Sequence, residues 1–158
     1  MLRAMTPLFL EDLAVGQRFT SAAATMDAAA IKDFAAAWDP QPFHLDEAAA
    51  AGTLFGGLSA SGWHTAAMTM RLLVTSGLPL AGGIIGSGGE LLWEKPVRPG
   101  DTLQVECEVL EIVPSRSRPD RGMVRVRCLT RNQHGETVQS FSPRLVVMRR
   151  AATEAGDV

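Results

Sequence analysis

The first clear hydrophobic pattern of the chain lies between Asp27 and Trp38. Apolar side chains recur there at intervals of three and four residues: Ile31, Phe34, Ala35 and Trp38. This spacing predicts a short amphipathic helix, capped by Asp27 and ended by Pro40, because the residue before a proline avoids the helical conformation. A second small helix is predicted from Leu45 to Ala51, with Gly52 as its stop signal.

The segment from Ser59 to Ser76 has a different pattern, with apolar or small residues on nearly every face and Arg71 as its only formal charge. Such a helix is expected in the middle of a fold, since no face of it prefers water. Gly77 and Pro79 end it, and the glycine-rich stretch 81–89 is predicted to be a connector.

The second half of the chain alternates between apolar and polar residues, which predicts half-buried strands at 103–109 and 124–128. If Pro114–Arg121 is the hairpin loop, a register that pairs Cys107 with Cys128 also pairs Glu108 with Arg127. Further strands are predicted at 91–94 and 138–149. The two cysteines are interpreted as buried thiols and not as a disulfide, because directly opposed strand cysteines have unfavourable bridging geometry.

These elements predict an α+β fold in which an antiparallel sheet curls around the apolar helix. The length of 158 residues and the 46% hydrophobic composition fit one domain, at residues 1–150, followed by a flexible tail at 151–158.

Composition narrows the functional classes. The formal net charge of -2 lacks the basic excess of a protein that binds nucleic-acid phosphates, so nucleic acid is not expected as a partner. The apolar patch near the N-terminus is shorter than a signal-peptide core, and no stretch reaches the roughly 20 apolar residues of a membrane span. With only two cysteines, a cytoplasmic protein without a membrane partner is expected.

The sequence contains none of the common metal-binding, phosphate-binding or serine-nucleophile motifs. What remains is a carboxylate and an imidazole, Asp39 and His44, five residues apart in a loop stiffened by Pro40 and Pro42. Such a pair can hold one water for general acid/base hydration. Taken alone, the pair is explained better as a loop cap and a surface histidine. His64, on the apolar helix, is more typical of a core or pocket wall than of catalysis.

Four blocks of sequence resemble the MaoC-like dehydratase family, which includes the (R)-specific enoyl-CoA hydratases: Trp38–Asp46, Phe55–Gly57, Ala60–Thr65 and Pro96–Asp101. The resemblance runs from about Leu8 to Val147. It implies a hot-dog fold, in which a curved antiparallel sheet wraps a long central helix.

The resemblance also assigns roles to residues. It implies that Asp39 is the base, that His44 orients the attacking water and shares its proton, and that the backbone N–H of Gly62 stabilises charge on the thioester oxygen. Gln41 stands where the hydratases usually carry Asn, and it is expected, with Trp63, to contact substrate.

The expected function is therefore that of an acyl-CoA hydratase/dehydratase of fatty acid metabolism, which uses neither a metal nor a cofactor. The resemblance implies a homodimer or higher oligomer with sheets joined edge to edge, and the candidates for CoA phosphate contacts are Arg71, Lys95 and Arg98. Two alternatives stay open: a hot-dog thioesterase, and a catalytically silent subunit that binds acyl-CoA or builds an oligomer.

Overall fold

The computed structural model describes residues 5–151, and within this range the main elements are four α-helices and five strands. The helices are α1 (Ala28–Trp38), α2 (Pro42–Leu45), α3 (Glu47–Ala51) and α4 (Gly62–Leu72), and a π-helical turn, Leu73–Gly77, continues α4. The strands are β1 (Arg18–Met26), β2 (Ile85–Trp93), β3 (Asp101–Pro114), β4 (Arg121–Arg131) and β5 (Thr137–Met148). They form one antiparallel sheet in the order β1-β3-β4-β5-β2. The predicted α+β class is confirmed, whereas the predicted tail lies outside the described residues apart from Ala151.

Helix α1 forms where the hydrophobic spacing predicts it. The carboxylate of Asp27 accepts a hydrogen bond from the backbone N–H of Ala30, and Ile31 and Ala35 are buried. The predicted stripe nevertheless stops short, because Trp38 is 76% exposed. Trp38 is the last residue of α1, directly before the residues that end the helix.

Helix α4 confirms the predicted central helix, but it is not buried on every side. Thr65, Thr69 and Leu72 are buried, whereas Trp63 and Met70 are exposed. One face of α4 therefore packs on the sheet, and the other face is open in a single copy of the chain.

The β3–β4 hairpin has the predicted register, with Cys107 opposite Cys128 and Glu108 opposite Arg127. The Arg127 guanidinium contacts the Glu108 carboxylate at 3.1 Å. A register shift follows Val109. The prediction of two free thiols is wrong, because Cys107 and Cys128 form a disulfide across the directly opposed positions.

Two parts of the sheet differ from the sequence-based predictions. Strand β1 was not predicted, and β2 begins at Ile85 instead of Leu91, so most of the predicted connector 81–89 is strand. Both are edge strands, and β2 contains a register shift between Gly86 and Gly89. An ideal Cβ on Gly89 would lie 2.6 Å from the Cα of Pro143, so the glycine allows close approach of β2 to β5.

The apolar core lies between the inner face of the sheet and α1, α4 and the π-helical turn. Its members include Met26, Ile31, Leu72, Leu103, Val105, Val126 and Leu145. None of the helices within residues 5–151 has the length and apolar character needed to cross a bilayer.

Candidate active site

Asp39 lies directly after α1 and marks its end. Its backbone N–H donates to the carbonyl of Ala35, the last helical hydrogen bond, and Pro40 and Pro42 then prevent the helix from continuing. The carboxylate is only 18% exposed. The chain thus turns sharply after α1, and the carboxylate of Asp39 is left largely buried.

His44 lies on the short helix α2, which begins with Pro42 inside the loop predicted from the sequence. Its ring is 6% exposed. Nδ1 lies 2.6 Å from the carbonyl oxygen of Ser59, and because a carbonyl only accepts, Nδ1 must carry the hydrogen. Nε2 lies 3.3 Å from Oδ2 of Asp39. The carbonyl of Ser59 therefore fixes which nitrogen of His44 faces the carboxylate.

Ser61 completes this group, although sequence reasoning did not single it out. It is the N-cap residue of α4, is fully buried, and its hydroxyl donates to Oδ2 of Asp39 at 2.7 Å. The available signal was its place near the start of the predicted apolar helix and inside one of the family blocks, since serine is a typical cap residue.

Two donors hold the carboxylate of Asp39. Ser61 binds Oδ2, and the side-chain amide of Gln41 donates to Oδ1 at 2.6 Å. Burial raises the pKa of Asp39, but the hydrogen bonds from Ser61 and Gln41 and the nearby His44 lower it more, so the pKa lies below its ordinary value. The carboxylate is thus kept ionised and ready to accept a proton.

Gly62 is the first residue of α4, an 11-residue helix. Its backbone N–H donates no hydrogen bond within residues 5–151, as expected for an N-terminal position of a helix. An ideal Cβ on Gly62 would lie 2.5 Å from a ring atom of Trp93. The glycine therefore lets the indole of Trp93 lie directly against the first turn of α4.

All five site residues predicted from the sequence meet in one cavity of about 400 Å³: Asp39, Gln41, His44, Gly62 and Trp63. Aromatic rings form much of its wall. Trp63 and Trp93 pack edge to face with centroids 5.0 Å apart, and Phe43 and Phe55 lie 4.9 Å apart. Trp93 was not predicted, because β2 brings it to α4 only through the fold.

The three candidate cations have different environments. Lys95 lines the cavity and pairs with Glu136. Arg98 is not among the lining residues, and its guanidinium donates to backbone carbonyls of the loop before α4. Arg71 is exposed on the last turn of α4 and likewise does not line the cavity.

His64 lies outside the cavity lining, in agreement with a structural role. Its ring stacks on Phe34 of α1 at 4.6 Å, and it is buried. Burial lowers the pKa of His64, and the charge of Asp27 only partly offsets this effect.

The family model described as "MaoC like domain" matches residues 12–131, which is most of the chain. The chain belongs to the MaoC-like family. The MaoC-like dehydratase from Rhodospirillum rubrum is 66% identical in sequence to this MaoC-like protein, and its crystal structure superposes with a TM-score of 0.90. The match covers 91% of this chain and 99% of the Rhodospirillum rubrum chain.

Two further relatives carry names that describe an activity. The 3-hydroxybutyryl-CoA dehydratase of Methylorubrum extorquens is 35% identical over 75% of this chain and 74% of its own. The (R)-hydratase from A. caviae involved in PHA biosynthesis has 30% identity and a TM-score of 0.69, over 89% of this chain and 99% of its own. The predicted hot-dog fold of this MaoC-like protein is confirmed by these structural matches.

Proposed function

We propose that this protein adds water across the double bond of a 2-enoyl-CoA to give a 3-hydroxyacyl-CoA, and catalyses the reverse dehydration. The observation that carries the proposal is the pairing of an ionised Asp39 with His44 in one cavity, 3.3 Å apart. At this separation one water can hydrogen-bond to both Oδ2 and Nε2. The substrate and water are the only reactants that the proposal needs.

In the forward direction, Asp39 accepts a proton from the water as the water oxygen bonds to C3 of the enoyl group. The electron pair of the double bond moves to the thioester oxygen. His44 orients the water through Nε2, since Nδ1–H is already committed to the carbonyl of Ser59. The proton shared by the two side chains is then delivered to C2, so that the elements of water are added and nothing else is consumed.

The thioester oxygen gains negative charge during this step and needs a donor that is already in place. The N–H of Gly62, which has no acceptor within the described residues and lies at the positive end of α4, supplies one. Gly62 lines the same cavity as the Asp39–His44 pair, which supports a single catalytic centre.

The relatives support the choice of substrate class. One is named for a 3-hydroxyacyl-CoA and another as an (R)-hydratase, which is why we propose a CoA thioester as the partner. We expect Lys95 to lie nearest to the CoA, because it is the one of the three candidate cations found in the cavity wall.

We further propose that the protein acts as a homodimer whose sheets pair through β2. This strand forms an edge of the sheet and exposes Leu92 and Trp93, both about half accessible, and an unpaired edge of this kind favours pairing with another strand. Light scattering during size-exclusion chromatography measures the mass and so tests the dimeric state. A cytoplasmic location stays part of the proposal.

The decisive experiment follows two signals with crotonyl-CoA and longer or branched enoyl-CoAs: the absorbance of the conjugated enoyl thioester and the release of free thiol. We expect absorbance loss without thiol release. Asp39→Asn and His44→Ala should each lower the rate by about 10² to 10⁴. Asp33→Asn, on the exposed side of α1, and His134→Ala, in an exposed turn, are matched controls and should keep the wild-type rate.

Other outcomes overturn the proposal in distinct ways. Thiol release that depends on Asp39 would identify a thioesterase. Binding of acyl-CoA without either signal would identify a silent subunit. An unchanged rate in the Asp39→Asn variant would remove this carboxylate from the chemistry.

A further inference from the structure

We propose that Arg98, although it lies outside the cavity, is a positioning residue for Asp39 and His44. It acts through residues 52–61, here called the 52–61 loop, which connects α3 to α4. The inference rests on the proposed hydration for its kinetic consequences, whereas its structural consequence can be measured without any substrate.

The guanidinium of Arg98 forms hydrogen bonds with backbone carbonyls of the 52–61 loop. Nη1 donates to the carbonyl of Gly57 at 2.9 Å and lies 3.4 Å from that of Leu58, and Nη2 donates to the carbonyl of Phe55. A planar guanidinium with five donors suits several carbonyls arranged around it. Three peptide groups of one loop therefore share a single cationic partner.

The backbone of Arg98 is itself held in place by hydrogen bonds. Its backbone N–H donates to the carboxylate of Asp101 at 2.8 Å, and the other carboxylate oxygen accepts from Gln133. Asp101 is buried. The neighbouring Val97 carbonyl accepts the N–H of Ala60 at 2.8 Å, which adds a second attachment between the two segments.

The C-terminal end of the 52–61 loop contacts the catalytic pair. The carbonyl of Ser59 accepts the Nδ1 hydrogen of His44, and the hydroxyl of Ser61 donates to Asp39. Ser59 directly follows Leu58, the last residue whose carbonyl Arg98 contacts, so no intervening side chain is needed. If the carbonyls that Arg98 binds shift, the carbonyl of Ser59 and the hydroxyl of Ser61, which orient His44 and Asp39, must therefore move as well.

The competing role for Arg98 is a contact with the phosphates of CoA. Its donors point at carbonyls of the protein and it does not line the cavity, so this role finds no support in the contacts. The two roles differ in a measurable way. A positioning residue affects any thioester, whereas a phosphate contact affects only substrates that carry the nucleotide.

The kinetic test compares crotonyl-CoA with the crotonyl thioester of N-acetylcysteamine, which has no phosphate. For Arg98→Lys and Arg98→Met we expect kcat to fall about 10- to 100-fold, the loss expected for catalytic groups displaced by about an ångström, with KM changed less than about threefold. The loss should be equal for both thioesters. Arg116→Met, in the exposed β3–β4 hairpin loop, is the matched control and should be unchanged.

Chemical rescue separates positioning from a general loss of structure. Millimolar methylguanidinium should restore part of kcat in Arg98→Ala, whereas methylammonium should not. A loss confined to the CoA ester, or a variant with unchanged kcat, would overturn the proposal.

The test without substrate uses the ring nitrogens of His44. Their ¹⁵N chemical shifts and long-range couplings to the ring protons report which nitrogen carries the hydrogen. In the wild-type protein we expect Nδ1–H, and in Arg98→Lys a mixture of tautomers. An unaltered His44 spectrum in a folded Arg98→Lys protein would refute the positioning role. If the wild-type protein hydrates no enoyl thioester, the proposed function fails, while this spectrum still decides the role of Arg98.

Discussion

The side-chain amide of Gln41 donates a hydrogen bond to Oδ1 of Asp39 over 2.6 Å. Ser61 holds the other carboxylate oxygen, so both oxygens of the candidate base have a donor. At the position of Gln41 the hydratases of the family usually carry Asn, which is one methylene shorter. In this chain the amide of Gln41 therefore contributes to the ionisation of Asp39.

Replacement of Gln41 by Ala should raise the pKa of Asp39, because a donor that favours the charged carboxylate is lost. A base is active only when ionised, so activity is lost as the pH falls through this pKa. The acid limb of the kcat/KM profile should therefore move to higher pH, while the rate above that limb stays within about tenfold of wild type.

Gln41→Asn is the conservative control and should give a smaller displacement of the acid limb, because it keeps an amide donor. A ¹³C titration of the Asp39 carboxyl measures the same change without substrate. An acid limb and a titration that both stay in place would show that the amide of Gln41 does not govern ionisation.

The contact between Gly62 and Trp93 predicts a strong coupling between two substitutions. Gly62→Ala places a Cβ 2.5 Å from the indole and should cost about 1–3 kcal/mol of stability, as overpacking usually does. In a Trp93→Ala background the same substitution should cost much less. Denaturant unfolding of the two single variants and the double variant measures the coupling energy.

Gly52→Ala is the matched control for this cycle, since an added Cβ there meets no atom within 4 Å. The alanine at position 62 keeps the backbone N–H that we propose as a donor. The double variant should therefore hydrate crotonyl-CoA faster than Gly62→Ala alone. Additive stability losses would mean that the indole is free to move away from α4.

The sequence predicts those elements whose burial pattern is visible in neighbouring residues, and it does not predict elements that depend on contacts distant along the chain. Strands β3 and β4 bury alternate residues, so their hydrophobic period and even the pairing of Glu108 with Arg127 can be predicted. Strand β1 buries only Ser21 and Met26 among alanines and threonines, and this leaves no hydrophobic alternation to detect. Strand β2 is exposed and glycine-rich, so its pairing with β5 has no comparable signal.

The candidate site likewise has a part that the sequence predicts and a part that depends on the fold. Asp39 and His44 are close in sequence, and a proline-stiffened turn brings them together. The approach of Trp93 to Gly62, in contrast, depends on the register of β2 against β5 and on the packing of α4 over the sheet. The exposure of Trp38 at the last turn of α1 is likewise a tertiary property, which the helical spacing does not encode.

The orientation of Trp93 depends on a buried hydrogen-bonded chain. Its indole N–H donates to Oε1 of Gln139 at 3.1 Å, and Nε2 of Gln139 donates to the hydroxyl of Thr69, which bonds to Thr130. The indole can only donate, which fixes the orientation of the Gln139 amide. Gln139, Thr69 and Thr130 are buried.

Replacement of Gln139 by Leu should cost about 1–3 kcal/mol of stability, because the indole of Trp93 and the hydroxyl of Thr69 lose their amide partner. The same change should alter the tryptophan fluorescence assigned to Trp93 by comparison with Trp93→Phe. Gln104→Leu, which removes a part-buried bond to the Ser21 carbonyl elsewhere in the sheet, is the control and should leave this fluorescence unchanged. An unaltered spectrum in Gln139→Leu would show that the amide does not hold the indole.

The ring of His64 predicts how stability depends on pH. Burial lowers the pKa of His64 in the folded chain, although the charge of Asp27 opposes this, and Nδ1 has no hydrogen-bond partner within residues 5–151. The unfolded chain binds a proton near the ordinary histidine value of about 6.5, whereas the folded chain binds it only at lower pH. The unfolded state therefore holds more protons between these two values, and stability present above about pH 6.5 is lost as the pH falls towards the folded pKa.

His64→Phe should remove this dependence and keep the stacking on Phe34. The Tm of the wild-type protein is expected to fall more than that of the variant between about pH 7 and pH 5. Every other titrating group is common to both proteins, so the difference between the two curves isolates His64. His134→Phe, in an exposed turn, should follow the wild-type curve. Parallel Tm curves for the wild type and His64→Phe would mean that His64 accepts its proton as readily in the folded chain as in the unfolded one.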